Sequence, residues 1–219
     1  MSDTVSIAGG NLFMRCDTVN QNAFREPPAG IHFRSCRPDE LELWKRLSVE
    51  DPTYVSFMTE YFEKVYASQA EEFFRRCTFA CTQDDTPIGT CFLWKAYGQV
   101  NTLHWYRVLP VYEGQDIGLA LLTYLFQTLT PEDYPLYLHT HPACTRALPL
   151  YSDFGFALVR EPAVIGTRSN HLHAALSYLE KPMPPASSHH LTARLTHPTP
   201  RLPPPPTHLP PPNAPHQPP

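Results

Sequence analysis

Fifteen of the chain's 26 prolines fall within residues 181–219. Proline fixes φ and removes a backbone donor, so a stretch this rich in it suits neither a helix interior nor a sheet centre. The same stretch holds five of the eleven histidines and no acidic residue. With few large apolar side chains it cannot offset its ordering entropy, and 182–219 is expected to be a disordered Pro/His-rich tail. At the other end, residues 1–29 close on REPPAG and read as a flexible N-terminal arm. The foldable chain is thereby confined to about residues 30–181, enough for one domain with a sizeable core.

The tail also hides the charge of that domain. It carries Lys181, Arg194 and Arg201, so of 17 basic and 21 acidic groups residues 1–180 keep 14 and 21, a net charge of -7. An acidic domain argues against a nucleic-acid surface and suits a small cationic partner better. No run approaches the length of a membrane span, and the first residues lack a basic and then apolar leader pattern. No membrane contact and a cytoplasmic setting are therefore expected. Cysteines 16, 36, 77, 81, 91 and 144 form no CxxC pair and read as free thiols. Cys77 and Cys81, with His32 or His104, could touch a metal. Semi-buried packing thiols are the simpler reading, and no metal is expected.

Periodicity supplies the elements. IHFRSC (31–36) alternates like a strand, and Pro38-Asp39-Glu40 opens a helix carrying Leu41, Trp44 and Leu47. A second helical stretch, about 54–76, bears Phe57, Tyr61, Phe62, Tyr66, Phe73 and Phe74. These rings either line a cleft or pack the core. Three strands follow at 77–83, 88–97 and 100–110, then a helix at about 116–129. A strand at 134–141, a short helix at 143–153, and strands at FALVRE and HLHAALSYLE (171–180) complete the order. The result is an α/β (α+β) fold: a mixed, mostly antiparallel sheet of six to seven strands with helices on both faces.

The most informative block is LPVYEGQDIGLALL, residues 109–122. A strand ends at Pro110, Gly114 and Gly118 follow, and a helix begins. A helix start exposes unpaired N–H groups and partial positive charge, and glycines let backbone close on a phosphate. No Lys followed by Ser or Thr is present, so this is no Walker A loop. Asp116 is the anomaly, because a carboxylate beside a diphosphate repels it.

This block resembles the GNAT superfamily of acyl-CoA-dependent N-acyltransferases. Val108-Leu109-Pro110 matches that family's V-x-P strand end. Anchored on Pro110, Glu113 to Gly118 stands where the family has R/Q-x-x-G-x-G/A; Gln115-x-x-Gly118-x-Ala120 is an alternative register. Leu150-Tyr151-Ser152-Asp153-Phe154-Gly155-Phe156 matches a second block, L-Y-x-x-x-G-F. The resemblance implies an acetyltransferase that uses acetyl-CoA as co-substrate and an amine of a small molecule or peptide as acceptor, with room for a homodimer. It implies main-chain contacts to the pantetheine arm at Val108 and Leu109. It implies diphosphate contacts at Glu113, Gly114, Gln115, Asp116, Ile117, Gly118 and Leu119. Tyr151 would return a proton to the departing thiolate, and Cys144 stands about where the family often has a cofactor-binding Asn. His104, mid-strand before Val108, is a candidate base; His139 and His141 are weaker ones. Direct attack by the amine needs no covalent nucleophile. Two alternatives stand beside this reading: an acyl-CoA-binding regulatory module of weakened activity, motivated by Asp116 and Cys144, and an interaction protein acting through RLPPPPTHLPPP (201–212).

Overall fold

The computed structural model describes residues 10–96, 98–161 and 169–179, with side chains as far as 176. The tail expected over 182–219 lies outside them. The chain divides into two compact units.

One unit covers residues 23–94 and 103–132. It holds β2 (His32–Ser35), β3 (Thr78–Cys81) and most of β4 (Pro87–Ala96) and β5 (Val100–Val108), in the order β2-β3-β4-β5. β2 pairs antiparallel with β3, and β3 with β4. A 3-10 turn at Pro38–Glu40 leads into α1 (Leu41–Leu47), and the Glu40 carboxylate accepts the Arg37 N–H at 2.8 Å. Asp51 likewise accepts the Thr53 N–H at 2.8 Å ahead of α2 (Val55–Val65). The single helix expected over 54–76 is broken. α2 ends at Val65, a 3-10 turn spans Ala67–Gln69, and α3 (Ala70–Arg76) follows. The chain leaves the helix at Tyr66 (φ −117°), whose ring is fully buried.

That ring belongs to an aromatic core. Trp44, Phe62, Tyr66, Phe73, Phe79 and Phe92 are all buried, with Trp44 edge-on to Phe73 at 4.8 Å and Phe62 edge-on to Phe73 at 5.1 Å. Edge-to-face pairs of this kind add to the burial term. Of the six rings on 54–76, Phe62, Tyr66 and Phe73 are therefore core, and Phe57, Tyr61 and Phe74 pack at its margin. α4 (Ile117–Phe126) packs on the opposite side of β5, where Gly118 meets Tyr106. Helices thus cover both faces of these strands.

The other unit takes the remaining residues. Its strands run in the order β6 (Leu136–Thr140), β1 (Leu12–Cys16), β7 (Ala157–Leu158), with β1 antiparallel to both neighbours. α5 (Ala147–Asp153) and α6 (Leu172–Leu179) belong here. Two expectations are corrected. The N-terminal arm carries a central strand: Leu12, Phe13, Met14 and Cys16 are buried, and Leu12 pairs with Thr140. A strand buried on both faces has no polar alternation to betray it. HLHAALSYLE is a helix, not a strand. Asn170 Oδ1 accepts the Leu172 N–H at 3.2 Å, and Leu172 and Ala175 bury one helical face. Every pair with a resolved register is antiparallel, in keeping with the mixed α/β fold expected.

Candidate active site

β5 carries a conformation that its sequence hides. Trp105 adopts φ +52°, a left-handed backbone in mid-strand. Such a residue costs about 1–2 kcal/mol and marks a bulge that the surroundings must hold in place. Its effect is to put two consecutive side chains on one face. Trp105 Nε1–H donates to the Tyr66 hydroxyl oxygen at 3.0 Å, and His104 Nδ1 lies 2.5 Å from the same oxygen. Burial raises the Tyr66 phenol well above its ordinary pKa, and the neighbouring Tyr61 adds to that shift. Tyr66 is thus a neutral anchor for the His104 ring.

Beyond the bulge, alternation resumes. Tyr106 turns to the α4 side, and Trp105 and Leu109 pack with the aromatic core. At the strand end the Leu109 N–H donates to Ile88 O at 2.8 Å, and the Leu109 carbonyl accepts the Tyr112 N–H at 2.9 Å. The Leu109 N–H and carbonyl are thus both engaged at the strand end.

The glycine loop follows a 3-10 turn at Pro110–Tyr112. The Glu113 N–H is spent on Pro110 O, while Gly114 (φ +75°) and Asp116 (φ +59°) both adopt left-handed backbone. Asp116 tolerates it better than most residues but still pays where glycine would not. Its carboxylate makes no capping bond and is exposed. The first helical bond runs from the Ala120 N–H to Asp116 O at 2.9 Å. Among the described residues, the main-chain N–H groups of Gly114, Gln115, Asp116, Ile117, Gly118 and Leu119 have no acceptor. Six successive free donors on a left-handed turn and a helix start form an anion-accepting backbone. Gly118 is fixed by packing: a Cβ there would collide with the Tyr106 hydroxyl and sit 3.1 Å from its ring carbon Cζ.

His104, Val108 and the loop 113–119 lie in one unit; Tyr151 and Cys144 lie in the other. Tyr151, on α5, is 6% exposed, with its ring centroid 6.2 Å from that of Phe156. Cys144 is partly exposed in the turn before α5, its Sγ 3.3 Å from His141 Nε2. His139 instead bonds Asn11 Oδ1 at 2.9 Å. Among the described residues, one group has metal-ligand geometry: His32, Cys81 and Asp85. Both Asp85 oxygens are already engaged there, by His32, Arg34 and Arg37. Sequence reasoning misses Trp105, Tyr106 and Arg107 beside these positions, whereas Tyr66 is among the rings it expects to line a cleft or pack the core. The alternation within YRVLP could have separated Tyr106 from Arg107, but nothing in the sequence marks the bulge.

The structure of an acetyltransferase from the GNAT family of Colwellia psychrerythraea is similar to this one, with a TM-score of 0.51 at 14% identity over 68% of this chain and 53% of that one. A GCN5-related N-acetyltransferase from Sphaerobacter thermophilus aligns at 18% identity over 68% of this chain and 48% of its own, with a TM-score of 0.47. This chain thus spans about half the length of each. No curated protein matches it. The model of the acetyltransferase (GNAT) family matches residues 41–156, more than half of the sequence. The chain belongs to the GNAT acetyltransferase family.

Proposed function

We propose that this protein is an N-acetyltransferase that moves an acetyl or related acyl group from acetyl-CoA to a primary amine of a small molecule or peptide. The observation that carries the reading is the run of six free N–H groups at residues 114–119, directly after the strand end at Val108. These donors suit a diphosphate, and the helix start adds favourable field. Acetyl-CoA supplies a thioester carbonyl, which the Val108 main chain would orient. His104 is the proposed base. In the tautomer that donates Nδ1–H to Tyr66, the ring lone pair is on Nε2, the nitrogen that would take the proton of the attacking amine. Tyr151 is the proposed acid for the leaving thiolate. No covalent intermediate is required. Six free thiols are in keeping with a reducing, cytoplasmic setting.

Thermal shift with acetyl-CoA, against CoA and a nicotinamide dinucleotide, tests the donor. Stabilisation by acetyl-CoA and CoA alone is expected, because a ligand that binds only the folded state raises its stability by mass action. No shift at millimolar acetyl-CoA overturns the reading. Asp116 offers a second measurement. Removing its exposed charge in Asp116→Asn is expected to tighten acetyl-CoA binding about three- to tenfold at low salt and less at high salt. Equal affinities in a calorimetric titration would put the carboxylate beyond reach of the diphosphate.

A further inference from the structure

Arg107 follows the bulge by two residues. Trp105 and Leu109 face the α1–α2 side, and Tyr106 faces α4. Strand alternation then sets Arg107 on the α1–α2 side, between Trp105 and Leu109. The bulge also brings His104 to that side, where it meets Tyr66. An unbulged strand would send residues 104 and 107 to opposite faces; here they share one. Within β5 their Cα atoms are separated by at most about 10 Å, three residues at strand rise.

The Arg107 side chain is partly buried, and among the described residues it makes no hydrogen bond and no ion pair. This sets it apart from Arg34, Arg37, Arg75 and Arg76, each of which holds a carboxylate. Burial works against its charge, and the acids acting on it, Glu50 and Glu113, do so only through space. Both are exposed, so solvent and salt screen them. A guanidinium presents a planar fork of donors that matches a carboxylate or phosphate edge. A partly desolvated fork with no partner is completed by an anion.

We infer that Arg107 is an anion-recognition residue on the face of the proposed base, and that the acceptor is an amine that also bears a carboxylate, as a free amino acid does. The inference rests on His104 marking the acceptor side. It replaces the purely cationic acceptor suggested by net charge with a zwitterionic one. The same fork could instead meet a phosphate of the acyl donor, and the experiment separates these two sources of anion.

The full chain is titrated calorimetrically with matched pairs, each an α-amino acid and its decarboxylated amine: glycine and methylamine, phenylalanine and phenethylamine, 2-aminobutyrate and propylamine. Acetyl-CoA is titrated separately. The parent is expected to bind the carboxylated member of at least one pair about 10- to 100-fold more tightly, the worth of a charge-assisted bond. Arg107→Gln should erase that preference and leave acetyl-CoA affinity and melting temperature unchanged. Arg107→Lys should retain part of it. A parent that shows no carboxylate preference in any pair overturns the inference. So does an Arg107→Gln variant that loses acetyl-CoA affinity while keeping the preference, since the fork then serves the donor. A parent that binds no acetyl-CoA yet discriminates the pairs through Arg107 defeats the acetyltransferase reading and leaves the anion site standing.

Discussion

Gly118→Ala is expected to cost about 1–2 kcal/mol of stability and to weaken acetyl-CoA binding at least about tenfold. Two effects oppose each other. Alanine in place of glycine inside a helix gains about 1 kcal/mol from propensity alone. Against this, the new methyl group collides with the Tyr106 hydroxyl and crowds Cζ at 3.1 Å. Overpacking at a tight contact costs about 1–3 kcal/mol, sometimes more. Tyr106 turns on only two side-chain torsions and cannot bend its tip aside, so the helix start has to move. That movement displaces the N–H groups of residues 114–119. Tyr106→Phe removes the atom that clashes first, so the double variant should recover part of both losses, and the non-additivity measures the contact. Denaturant midpoints and calorimetric titrations check it. A Gly118→Ala protein as stable as the parent, with unchanged affinity, would mean that Tyr106 yields freely.

His104→Gln is expected to lower turnover by about 10²–10³-fold, within the span of one general base, with acetyl-CoA affinity retained. Glutamine keeps polar reach but cannot take a proton from the amine. In the parent the rate should fall at acid pH as the imidazole protonates, and that limb should vanish in the variant. Tyr66→Phe separates placement from chemistry. It removes the oxygen shared by His104 and Trp105, so the ring loses its orientation while the base survives. A fall of about threefold to tenfold, with the acid limb kept, is the expected result. Rates measured across pH with saturating acetyl-CoA decide the matter. An unchanged His104→Gln rate would assign the proton to another group.

Much of this arrangement is legible in the sequence, because local chemistry dictates it. Pro110, Gly114 and Gly118 after an alternating run can only close a strand and open a helix. Gly118 was readable as a loop glycine, but its reason was not: Tyr106, twelve positions earlier, fills the space a side chain would need. β1 escaped notice because Leu12 to Met14 are buried without alternation. HLHAALSYLE misled because a short stretch of mixed apolar and polar residues fits either period, although Asn170 stood before it as a helix cap. The pairing of Tyr66 with His104 spans 38 positions and depends on a left-handed tryptophan. Propensity gives no warning of such a residue, since the surrounding packing imposes it.

The distribution of thiols gives the molecule a built-in reporter of its own opening. Cys144 is the one cysteine that is not buried. Burial pushes the Cys77 and Cys91 thiols up, and that of Cys81 to about 11. A thiol reagent added to the native protein should therefore mark Cys144 first, and the remaining sites only as segments open. Cys16 sits in one unit, while Cys36, Cys77, Cys81 and Cys91 sit in the other. The order in which label reaches these positions, read by peptide mass over time, tells which unit gives way first and whether the two give way together.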